Sequence, residues 1–136
     1  MQNQSFVLDT QNLTRAAKIP LIISAALGLT WLFGIYLGYL YSATLTFLEA
    51  LAGAMYMKSI IDSGKKPFLI NAGLNGAVLA ASAILVYRII SWLTTGIADQ
   101  DWSLDFLSFV FSALEAGFIG FLGALAWLAY KTHTNN

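Results

Sequence analysis

From Ile19 to Ile61 the chain is apolar almost without interruption. A helix needs about 20 apolar residues to cross the roughly 30 Å hydrocarbon core of a bilayer. The run is too long for one such helix and suits two joined by a tight turn. Composition points the same way. Of 136 residues, 58% are hydrophobic and 10% charged, and mean hydropathy is +0.70. Soluble domains carry about a quarter charged residues. The length allows one domain.

The turn inside the first run is expected near Gly38, Tyr39, Leu40, Tyr41 and Ser42, where glycine, tyrosine and serine gather. Residues Asp62 to Pro67 read as a loop, with Pro67 suited to a first helical position. Thr94 to Trp102 forms a short polar loop, after which Ser103 and Asp105 offer acceptors for a helix start. The sequence therefore predicts an all-α polytopic membrane protein. Four transmembrane helices, at about 19–39, 42–61, 67–93 and 103–130, form a compact antiparallel bundle. The transmembrane domain covers 19–131, between a polar tail at 1–18 and a C-terminal tail at 132–136. The polar tail lacks the apolar core of a signal peptide, so the first apolar segment is expected to stay as a span.

Basic residues set the expected direction. Arg15 and Lys18 precede the first span, Lys58, Lys65 and Lys66 surround the second loop, and Lys131 follows the fourth span. Asp99 and Asp101 occupy the third loop with no lysine or arginine beside them. The positive-inside rule then puts both termini in the cytoplasm, in a plasma (inner) membrane. Tyr36, Tyr39, Tyr41, Trp92 and Trp102 would ring the outer interface, and Trp127 and Tyr130 the inner one.

Two segments share one pattern: Ser42-x-x-x-Thr46-x-Leu48-Glu49-Ala50 and Ser108-x-x-x-Ser112-x-Leu114-Glu115-Ala116. They open the second and fourth spans, so the bundle reads as two repeated helical hairpins running in parallel. Glu49 and Glu115 are the only glutamates in the chain, and both sit in apolar segments, where ionisable side chains are costly and point to function. Helical spacing places Ser42, Thr46 and Glu49 on one stripe and Ser108, Ser112 and Glu115 on another, with Asp105 extending the second outward. Glu49 is expected roughly 10 Å below the outer interface and Glu115 nearer mid-bilayer.

Arg88 lies at a depth similar to Glu49. It either pairs with that carboxylate or snorkels to the outer interface. Glu115 has no cation at its depth and is the favoured proton-carrying group. Asn71 and Asn75 stand one turn apart in the third span, and Asn75 is placed to meet Glu115, as an amide ligand or an interhelical hydrogen bonder. Gly34 with Gly38, and Gly117, Gly120 and Gly123, permit close helix contact within the bundle or with another chain. Trp31 and the phenylalanines of the fourth span serve packing or lipid contact.

The chain has no cysteine, and its one histidine, His133, lies in the tail. No metal-spaced cluster, phosphate loop or nucleophile–base set appears. No cofactor or metal and no enzymatic activity is expected, and zero net charge gives no nucleic-acid footprint. The first expectation is an accessory or scaffold subunit embedded in the lipid bilayer and packed against a larger membrane complex or against itself as a homo-oligomer. The alternative is a small oligomeric transporter or channel that moves a proton or cation through Glu115 and Glu49, with Arg88, Asn75, Ser112, Ser108 and Thr46 around them.

Overall fold

The computed structural model describes residues 5–33, 39–95 and 102–135. Within them lie α1 (Thr10–Leu29), a short 3-10 turn (Thr30–Phe33), α2 (Tyr39–Asp62), α3 (Leu69–Thr95) and α4 (Trp102–Thr134). No strand occurs among the described residues. The helix count matches the sequence, but several helix ends move. The first helix starts at Thr10, well before Ile19. Asp9 caps it: its carboxylate accepts the Asn12 N–H at 3.2 Å, so polar residues that composition reads as tail are wound into helix. Tyr39 to Ser42 belong to α2 instead of a turn. Pro67 stands just outside α3, whose first bond runs from the Ala72 N–H to the Phe68 carbonyl at 2.7 Å.

The α2 exit is defined by Gly64, with φ at 75°, a backbone conformation that glycine adopts at no steric cost. There the Gly64 N–H reaches the Ile61 carbonyl at 3.0 Å, closing the helix end in the usual left-handed manner. At the other extreme α4 runs past Tyr130 to Thr134, with Lys131 and His133 in its last turn. A cation there complements the negative end of the helix dipole.

Neighbours alternate in direction. Asp9 meets Asn75, and Gly28 meets Thr94, so α1 runs alongside α3. Arg88 meets Ser112, and Trp92 packs edge-on against Phe109 with ring centroids 6.4 Å apart, while Gly73 lies against Phe121. Those pairings set α3 and α4 antiparallel. Both α1 and α4 pack on the central α2–α3 pair.

Small residues make this packing. The buried stripe of α1 is Asn12, Ala16, Pro20, Ser24 and Gly28, every fourth residue and none of them a large apolar side chain. Ala52, Ala80, Ala83, Ala116 and Ala124 are buried at the helix contacts. A Cβ on Gly53 would overlap the Gly120 carbonyl, and one on Gly123 would overlap the backbone of Ala50. So α2 and α4 cross with their backbones in contact, a geometry reached only with glycine at the crossing. The glycines at 120 and 123 therefore serve the bundle itself.

Leu48, Tyr56, Met57, Ile60, Leu79 and Ile84 fill the core, while many other large apolar side chains turn outward. Ile22 is 67% exposed, Phe47 68%, and Phe106, Phe111, Leu114 and Phe118 between 66% and 68%. Among the described residues, two helices are long and apolar enough to cross a bilayer, over Leu69–Thr94 and Phe106–Thr134. Helix α1 spends its first turns on polar residues, and α2 carries Glu49 and Lys58.

Candidate functional site

The two repeated stripes converge. Ser42, Thr46 and Glu49 of α2, Arg88 and Ser91 of α3, and Ser112 and Glu115 of α4 line one cavity of about 460 Å³, with Tyr87, Leu45 and Ile84 completing its wall. Helical spacing is what aligns Thr46 with Glu49 and Ser112 with Glu115. The parallel run of α2 and α4 then brings the two acid-bearing faces to the same level. Ser108, one turn from Ser112, is half-buried on α4 and does not belong to this lining.

Inside the cavity the polar groups are unequal. Arg88 donates from Nε and Nη2 to the single Ser112 hydroxyl oxygen, at 3.1 and 2.6 Å. Neither glutamate forms an ion pair with it; the ion pair among the described residues is Lys58 with Asp62, one turn apart on the surface of α2. The Arg88–Glu49 pair weighed from depth is therefore replaced by an Arg88–Ser112 contact, because the guanidinium points toward α4. Thr46 turns its hydroxyl back to the Ser42 carbonyl at 3.0 Å, and the Ser91 hydroxyl bonds the Arg88 carbonyl at 3.1 Å.

Glu49 is 6% exposed, and its Oε2 is enclosed without a hydrogen-bond partner. Glu115 is exposed at the cavity edge. Depth along the helices favours Glu115, but Glu49 is the enclosed acid, since α4 presents position 115 at the bundle periphery while α2 is central. The two carboxylates are close enough for their charges to interact. A buried carboxylate oxygen with no donor is unfavourable by several kcal/mol if ionised, roughly 3–5 kcal/mol for an uncompensated buried charge. Such an arrangement can accept a proton or a small cation.

Asn75 does not meet Glu115. It is fully buried at the other end of α3, where it holds the segment before α1. Its Oδ1 accepts the Asp9 N–H at 2.9 Å, and its Nδ2 donates to the Val7 carbonyl at 3.0 Å and the Asn71 carbonyl at 2.9 Å. Asn71 Oδ1 accepts the Val7 N–H at 3.1 Å. Two amides one turn apart thus read the main chain of an extended strap. Beside it, Asp9 Oδ2 accepts from Asn12 Nδ2 at 2.7 Å and from the Tyr56 hydroxyl at 3.2 Å. The Ser59 hydroxyl donates to Asn12 Oδ1 at 3.0 Å. Burial would push the Asp9 carboxyl up, but donors from Asn12 and Tyr56 and the charge of Lys65 outweigh it and hold Asp9 below its ordinary value. Sequence reading missed this network. Its signal was Asp9 three residues ahead of Asn12 at a helix entry.

Several residues singled out from sequence lie outside the described ones: Gly34, Tyr36, Gly38, Asp99 and Asp101, and the side chains of Trp31, Tyr39, Tyr41, Trp102, Ser103 and Asp105. Comparisons with protein-family models, curated proteins and solved structures gave no match for this chain.

Proposed function

We propose that this protein is a four-span integral membrane protein that takes up a proton or small cation in the cavity between Glu49 and Glu115, acting as a small transporter or channel. One observation carries the reading: the enclosed, unpartnered Glu49 oxygen in a cavity that also holds a second acid and four serine or threonine hydroxyls. The membrane placement is supported by the many large apolar residues on the outer surface, among them Ile22, Phe47, Phe106, Phe111 and Phe118, and by the alanines and glycines at the helix contacts. In this reading both termini face the cytoplasm, the membrane is a plasma (inner) membrane, and copies of the chain associate within it.

Reconstituted vesicles test it. Wild-type protein should carry pH-dependent proton or alkali-cation flux. Glu49→Gln should lower it by about tenfold or more, as expected when a charge-assisted contact of about 1.5–3 kcal/mol is removed. A correctly folded wild type with no flux sinks the proposal. The second reading is an accessory subunit of a larger membrane complex, favoured by the phenylalanine-rich outer face of α4. It ranks lower because Gly120 and Gly123 make their close contacts inside the bundle.

A further inference from the structure

We infer that the cavity accommodates one positive charge of substrate at a time, a proton or a single monovalent cation, because Arg88 held on Ser112 already balances one of its two acids. The inference rests on the proposed function and specifies its substrate class and stoichiometry. Among the described residues, the charged groups facing the cavity are Glu49 from α2, Glu115 from α4 and Arg88 from α3, with the Tyr87 phenol of α3 as the other titratable neighbour. Helix α1 and the 3-10 turn after it bring none: from Ile19 to Phe33 the chain has no charged residue. Two acids and one guanidinium sum to one negative charge when all are ionised. A net charge in apolar surroundings is strongly disfavoured, so the neutral state takes one more positive charge.

Geometry keeps that place open. Arg88 commits two donors to Ser112 Oγ and makes no ion pair with either glutamate. It supplies charge to the cavity without covering the enclosed Glu49 Oε2, which has no donor of its own. Ser112 is therefore a positioning residue that holds the resident cation away from the binding acid. A divalent ion would leave the same cavity one positive charge in excess.

Charge counting makes the test sharp. Infrared spectroscopy of the reconstituted full chain in sodium-free buffer counts protonated carboxyls in the cavity, with the Glu49→Gln, Glu115→Gln double variant as blank. Wild type should show one and Arg88→Gln two, a signal about twofold larger. Glu115→Gln should show none, and Arg88→Gln combined with Glu115→Gln should return to one. Arg88→Lys, which keeps the charge, should stay at one and guards against a folding defect in Arg88→Gln. Added sodium separates the two sources: a signal that vanishes identifies an alkali cation replacing the proton, and one that persists identifies the proton as occupant. A signal indifferent to Glu49→Gln would remove the site itself. A signal that requires Glu49 but ignores both Arg88→Gln and Glu115→Gln would leave the site and overturn the single-charge rule.

Discussion

At the scale of single residues, Asp9 ties three parts of the fold together: it caps α1, accepts from Asn12 and Tyr56, and sits next to the Asn75 clamp. Its carboxyl is held below its unfolded value of about 4. The stabilisation is thus complete above that unfolded value and is lost as pH falls through the depressed folded value. Unfolding of the detergent-solubilised protein from pH 6 down to 3 should show a slope that Asp9→Asn flattens. An unchanged slope would mean the carboxylate is not the linked group. Asp9→Ala should cost about 1 kcal/mol for the cap alone, and Tyr56→Phe about 1 kcal/mol for one hydrogen bond. The sequence showed the two acids and their serine and threonine stripes, since spacing on a helix dictates which side chains share a face. It did not show that Arg88 reaches Ser112 or that Asn75 turns to Val7 and Asp9. Those choices depend on the rotamers of long or amide side chains and on which helix is central, and neither is written in periodicity.

Elements are held by close approach of small residues, so the expected effects of substitution depend on position more than on residue type. A Cβ at Gly117 meets Ala77 at an ordinary 3.8 Å. Gly117→Ala should therefore be neutral or stabilising by up to about 1 kcal/mol, the helix-propensity gain over glycine. One α-helical turn away, Gly120 faces the Ala80 methyl and the Gly76 carbonyl, the latter at 2.9 Å from an added Cβ. Gly120→Ala should cost about 1–3 kcal/mol through overpacking, read as a lower melting temperature in detergent. Equal effects at both positions would argue against the α3–α4 register described. The glycine spacing was visible in the sequence; which glycine touches backbone was not, because helical period alone does not fix the crossing point. The helix ends were read least well. Polar composition suggested a tail before Ile19, yet one aspartate at position 9 suffices to start the helix, since a cap satisfies N–H groups that would otherwise go unpaired.

For the molecule as a whole, the distribution of charge and the chain direction make one joint prediction about topology. The start of α1, the end of α2 and the start of α3 meet at one end through Asp9, Tyr56, Ser59 and Asn75. Trp127 and Leu128 of α4 pack against the same core as Ala16, Ile60 and Ala72. Arg15, Lys18, Lys58, Lys65, Lys66 and Lys131 therefore gather at that end by chain connectivity, and Arg88 is the one basic residue elsewhere. Such an asymmetry orients a bundle with its basic end in the cytoplasm. The absence of cysteine makes every introduced thiol a unique reporter. In right-side-out vesicles, Ser5→Cys, Lys65→Cys and Asn135→Cys should resist a membrane-impermeant maleimide until the vesicles are opened, whereas Asp99→Cys should react at once. If Lys65→Cys and Asp99→Cys react from the same side, α3 does not cross the bilayer and the four-span arrangement fails. If all four react in the opposite sense, the spans stand and only the orientation is reversed, which would place the acidic loop and not the basic end in the cytoplasm.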